Sequence, residues 1–132
     1  MTEKKDTQIT GNVGMYYVCF ELSRRGWNAM PTSRNAKGID IVAYKDGEYI
    51  GLQVKTLSKR NAIPVGSSVD DLMGKYWVVV TRVAEKEIPD VYVMTPEEVK
   101  ARAHLSGKSY WVEAKDYEIP DFKEKWDRIK VK

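Results

Sequence analysis

The run YWVVVTRV, residues 76–83, constrains the fold most strongly. It is apolar almost without alternation, so both of its faces need cover. A strand covered on both faces belongs at the centre of a sheet held between other elements. That predicts an α/β domain built around a mixed β-sheet flanked by helices. The chain has 132 residues, of which 42% are hydrophobic and 31% charged. That is enough for one domain, 1–132, with a core that needs no disulfide or metal staple.

The other elements follow from local signals. Residues 10–25 read as a helix with Thr10 as N-cap, apolar nearly all round and therefore expected to be buried. Arg24 and Arg25 suit its last turn and Gly26 its stop. The charged residues 1–9 ahead of it are expected to fray. Residues 27–30 read as a strand ended by Pro31, followed by a polar loop. Residues 38–44 and 48–57 read as two strands of a hairpin, since Asp46-Gly47 is a strong two-residue turn signal. A loop spans 58–68 and a short helix 69–73. A strand is expected at 91–94, then a helix opening on Thr95-Pro96-Glu97-Glu98 and running to about His104. A strand at 109–114 and a closing helix at 122–129 complete the chain. Trp77, Trp111 and Trp126 are assigned to the core.

Composition excludes several classes. A lone cysteine, Cys19, cannot form an internal disulfide, and with His104 as the one histidine it lacks the company of a zinc site. Cys19 is assigned to the core, and a reducing, cytoplasmic setting is expected. The N-terminal text MTEKKDTQIT has no apolar stretch of the kind that directs secretion. No run is long enough to span a membrane. A net charge of +3 permits a polyanionic partner without requiring one.

The residues that carry chemistry are Asp40 and the triplet Gln53-Val54-Lys55. Residues two apart on a strand share a face, so Gln53 and Lys55 stand side by side. Counting outward from the Asp46-Gly47 turn sets Asp40 across from Gln53. A carboxylate, the Gln53 side-chain oxygen and the Val54 carbonyl are oxygen donors of the kind Mg²⁺ or Mn²⁺ prefers. Such an ion acidifies water and polarises a phosphate, and a neighbouring lysine stabilises the developing charge. The same residues also fit a plain cross-strand ion pair on a solvated sheet.

The segment GNVGMYYVCFELSRRGW, then GIDIVAY, then YIGLQVKT resembles the PD-(D/E)XK, or restriction-endonuclease-like, nuclease core. The resemblance implies metal-dependent cleavage of phosphodiester bonds, most readily in DNA. It makes Asp40 and Gln53 metal ligands and Lys55 the catalytic lysine, with Val54 contributing its carbonyl. Two departures imply weak metal binding. Gln53 replaces the usual acid, and Met15 follows the GxxG-like step 11–14 where many relatives carry glutamate. Glu21 lies too far round the helix to stand in, and suits a pair with Arg25. Ser33, Arg34, Lys37, Lys59 and Arg60 form a candidate phosphate-contacting path around the motif. A nucleic-acid-binding domain without catalysis, or a protein-interaction module on the same fold, is the alternative. A homodimer or larger complex fits either.

Overall fold

The computed structural model describes residues 3–33 and 38–132, and of residues 3–6 the backbone alone. It opens on a helix, α1 (Glu3–Arg24). The sequence placed the helix start at Thr10 and fraying before it, but residues 3–9 form its first turns. Glu3, Lys4, Lys5 and Gln8 are good helix formers and no Gly or Pro interrupts them. Thr10 is therefore interior, and its hydroxyl meets that of Ser58 at 3.3 Å. The helix ends as expected. Gly26 has φ +94, its amide donates to Ser23, and the Trp27 amide donates back to Leu22 at 3.0 Å. These paired bonds satisfy carbonyls that the helix end would orphan.

Among the described residues, eight strands and two further helices follow in chain order. They are β1 (Asn28–Pro31), β2 (Ile41–Lys45), β3 (Glu48–Thr56), β4 (Ile63–Gly66), β5 (Tyr76–Thr81), β6 (Asp90–Met94), α2 (Pro96–Arg102), β7 (His104–Ser106), β8 (Ser109–Val112) and α3 (Ala114–Tyr117). A 3₁₀ turn, Trp126–Arg128, stands where the closing helix was expected. Five strands form one mixed sheet in the order β1-β2-β3-β5-β6, with β3 and β5 parallel and the other pairs antiparallel. A smaller sheet has the order β4-β8-β7.

Every residue of β5 is buried, as its composition required. Its alternation divides the core. Tyr76, Val78 and Val80 face α1 and the chain end, with Val18, Leu22, Ile41, Leu52 and Trp126. Trp77 and Val79 face the second sheet and α2, with Ile63, Met94, Val99, Val112 and Tyr117. Trp77 and Trp126 are buried as assigned, and Trp111 is half-buried.

Several expectations need correction. The sheet covers one side of α1, so Val18 and Leu22 are buried while Ile9, Val13, Tyr16 and Phe20 are 45% to 57% exposed. The expected helix at 69–73 is a series of bends, in which the Ser68 hydroxyl accepts from the Asp70 amide at 3.2 Å. β4 carries Pro64, which hides it from sequence patterning, and its register shifts there. His104 lies in β7 rather than at a helix end, with its Nε2 2.8 Å from Glu113. α2 itself starts with the full capping box, Thr95 and Glu98 each bonding the other's amide.

Candidate functional site

The hairpin that carries Asp40 and Gln53 is set by its turn. Asp46 and Gly47 have φ of 54 and 82, the left-handed pair that a tight hairpin demands. The register then runs from Lys45↔Glu48 to Ile41↔Leu52. Asp40 lies just beyond the last paired residue of β2 and is fastened to both neighbours of Gln53. Its amide donates to the Leu52 carbonyl at 2.8 Å, and its Oδ2 accepts from the Val54 amide at 2.8 Å. Thr32 holds the same place from the other side, through its amide to the Asp40 carbonyl and its hydroxyl to the Ile39 carbonyl at 2.6 Å.

Strand alternation breaks at Asp40. The sequence places Ile39 on the face of Ile41, but Ile39 lies over Gly51 on the opposite face. A Cβ on Gly51 would come within 2.8 Å of Ile39 Cδ1. The Asp40 amide bonds Leu52, which already stands opposite Ile41, so two residues of one strand share one partner. That extra residue is a β-bulge, and it re-aims the side chain.

The consequence is a division of the motif. Asp40 lines a cleft of 420 Å³ between α1 and the end of β3, with Asn12, Met15, Tyr16, Ser33 and Val54. Gln53 and Lys55 line a second cleft of 550 Å³ on the other face, with Ser67, Ser68, Asp71 and Trp77. β3 separates the two, and beyond Leu52 it runs on past its pairing with β2. Gly51 accepts from Lys75 and Leu57 donates to Val80, so odd-numbered residues of β3 serve the β5 side. Even-numbered residues turn their amides and carbonyls to the β2 side, where the Val54 amide donates to Asp40.

The Lys55 ammonium lies 5.2 Å from the centre of the Trp77 ring. Burial pushes its pKa down, and the Asp40 charge partly offsets that shift. Desolvation disfavours the charged form of a lysine, and a nearby carboxylate restores it. Lys55 is thus closer to proton exchange than a surface lysine.

The remaining predicted residues are dispersed. Ser33 is exposed at the rim of the Asp40 cleft, and Arg34 and Lys37 lie outside the described residues. Lys59 is exposed, while Arg60 Nε is held at 2.5 Å by Glu118. Glu21 is buried away from the site and bound to Arg24 and Arg25, the latter as its spacing foretold. Met15 lines the Asp40 cleft and brings no charge to it. Burial raises the Cys19 thiol, which suits a packing role. Sequence reasoning missed Thr32 and Tyr16. Thr32 had a signal, a hydroxyl at a loop start after Pro31, but Tyr16 is indistinguishable in sequence from its buried neighbours on α1.

A mixed sheet with a long helix on one face is the architecture of the restriction-endonuclease-like fold. No protein-family model matches the sequence, and no curated protein matches it. Solved structures do. A bacterial homing endonuclease superposes with a TM-score of 0.62 at 12% identity, over 92% of this chain and 90% of its own. The Holliday junction resolvase Hjc of Archaeoglobus fulgidus superposes with a TM-score of 0.54 at 14% identity, over 81% of this chain and 86% of its own.

Proposed function

We propose that the chain is a metal-dependent nuclease acting on DNA, with Asp40, Gln53 and Lys55 as its working residues. The observation that carries this reading is the anchoring of Asp40 to both neighbours of Gln53 at the free edge of β3. Asp40 and the Val54 carbonyl are hard donors of the kind Mg²⁺ or Mn²⁺ prefers, while the Gln53 amide oxygen, which lines the opposite cleft, would reach such an ion only around the edge of β3. Bound there, such an ion supplies an acidified water and a polarised phosphate. Lys55, with its lowered pKa, holds or moves a proton beside the attacking water. Among the described residues no three His, Cys, Asp or Glu side chains cluster, so the ion has a single carboxylate and binds weakly.

That shortage, and Met15 in the cleft, favour a second reading in which the same groove binds nucleic acid without cutting it. One experiment separates the two. Wild type and Asp40→Asn are titrated with Mg²⁺ and Mn²⁺ by calorimetry, then incubated with plasmid and single-stranded DNA. The nuclease reading expects metal binding and cleavage in the wild type and neither in the variant. Salt-sensitive DNA binding with no cleavage in either protein refutes it and leaves the binding reading.

A further inference from the structure

Among the described residues, the aromatic side chains that stand out into solvent are Tyr16, Phe20, Tyr44 and Tyr49. Three of them have a partner on the ring. The Arg24 guanidinium lies 5.5 Å from the centre of Phe20, and Tyr44 and Tyr49 pack on each other with centroids 4.9 Å apart. Tyr16 is 57% exposed, and among the described residues no aromatic ring or cation lies on it. Its position is equally particular. It stands one turn beyond Asn12 on α1, and both line the cleft that holds Asp40. The described residues that line this cleft include no Lys or Arg, and Asp40 is their one charge.

We propose that Tyr16 is a stacking platform for an unpaired base, which makes the site selective for single-stranded or locally opened DNA over closed duplex. The proposal rests on the nucleic-acid reading of the Asp40 cleft. Chemistry selects a base as the occupant. A phosphate seated beside the ring would find no Lys or Arg in this cleft, and surfaces that track the backbone carry such cations. A base is neutral and flat, and stacking on an aromatic ring serves any base because each has a π-face. In closed duplex both faces of a base are covered by its neighbours, so the ring engages only a base that has left the stack. The cleft of 420 Å³ has the size of a site for one small ligand, which a single base matches and a two-stranded helix does not. Tyr16 thus binds the strand beside Asp40 and takes no part in the chemistry.

The test is fluorescence anisotropy of the full chain with a labelled oligothymidine and with a duplex of the same length, in EDTA so that neither is cut. The oligothymidine should bind more tightly than the duplex. Tyr16→Ala should weaken oligothymidine binding by roughly 5- to 150-fold. Its salt dependence should stay the same, because no phosphate contact is lost. Tyr16→Phe should retain the affinity, and Val13→Ala, exposed on the same helix but outside the cleft, should leave it unchanged. The ring is exposed and alanine favours helix, so Tyr16→Ala should melt near wild type. A 2-aminopurine placed within the oligothymidine should lose fluorescence on binding wild type or Tyr16→Phe but not Tyr16→Ala, a signature that a merely structural role would not give. Oligothymidine binding that Tyr16→Ala leaves unchanged overturns the proposal while the nucleic-acid reading stands. A loss of equal size for the duplex overturns the assignment to an unpaired base. A wild type that binds neither DNA overturns the proposal together with the reading on which it rests.

Discussion

Replacing Lys55 with methionine should make the protein more stable at neutral pH. The ammonium is largely withdrawn from water, rests on the Trp77 ring at 5.2 Å, and has a pKa lowered first by burial and only partly restored by Asp40. Methionine keeps the length and apolar stem of the side chain. It loses a cation–π contact worth ~0.5–1 kcal/mol and gains a sulfur–aromatic contact of about the same size. What remains is the removal of a desolvated charge. Exchanging buried ionic groups for apolar ones stabilises by roughly 1–4 kcal/mol, and the Asp40 compensation puts Lys55 near ~1 kcal/mol. For a domain of 132 residues that is a rise in Tm of about 3–5 °C. The pH dependence has a definite sign. Below the lowered native pKa both the folded and unfolded lysine are charged, and the wild type bears the full penalty. As pH rises through that pKa, the native lysine discharges first, the wild type gains stability, and the advantage of the variant shrinks. Thermal unfolding followed by circular dichroism at pH 7 and pH 10 checks both parts. A variant that melts below wild type at pH 7, or whose advantage grows with pH, refutes the reasoning. Cleavage, under the proposed function, is lost in the same variant.

Asp40→Asn keeps an acceptor for the Val54 amide and should melt close to wild type. Asp40→Ala orphans that donor and should cost ~1–2 kcal/mol in urea unfolding. Gly14→Ala should destabilise despite the better helix propensity of alanine, because its Cβ would fall 1.8 Å from Thr56 Oγ1 where α1 crosses β3. The expected loss is ~1–3 kcal/mol, partly recovered by Thr56→Ala. Arg128→Ala removes bonds to the Val93 carbonyl at 2.7 Å and to Glu98 at 2.8 Å. Burial pulls the Glu98 carboxyl up, but its bonds to Arg128 and Thr95 prevail and hold it below its ordinary value. Its contribution is present above the unfolded pKa and is lost as pH falls through the folded one, so the variant should show a shallower loss of stability on acid titration. Gly51→Val should displace Ile39 and with it the neighbouring Asp40, which, under the proposed function, lowers metal affinity in calorimetry more than it lowers Tm.

What sequence revealed and what it concealed divide along physical lines. The buried strand β5, the Asp46-Gly47 turn, the Gly26 helix stop and the Thr95 capping box were legible because each is fixed by a few adjacent residues. The register of Ile41 on Leu52 followed from the turn alone. The exposed side of α1 was illegible, since an apolar helix surface looks the same whether a sheet or nothing lies on it. β4 and β7 were hidden because they are short, and their pairing with β8 is decided by contacts distant in sequence. No helix of the described residues is long and apolar enough to cross a membrane, as hydropathy indicated.

The bulge at Asp40 has the widest consequence for the site. Counting from the turn assumes that alternation holds to the end of the strand, and it would leave Asp40, Gln53 and Lys55 on one face. Because Asp40 and Ile41 share Leu52, the carboxylate turns to the α1 side while Gln53 and Lys55 stay on the Trp77 side. Neither cleft alone contains all three groups. A ligand that engages them together must lie across the free edge of β3, over the Val54 carbonyl, with one flank in each cleft. The two sides remain coupled all the same, because the Asp40 charge offsets part of the shift that burial imposes on Lys55, so the break separates the groups without isolating them.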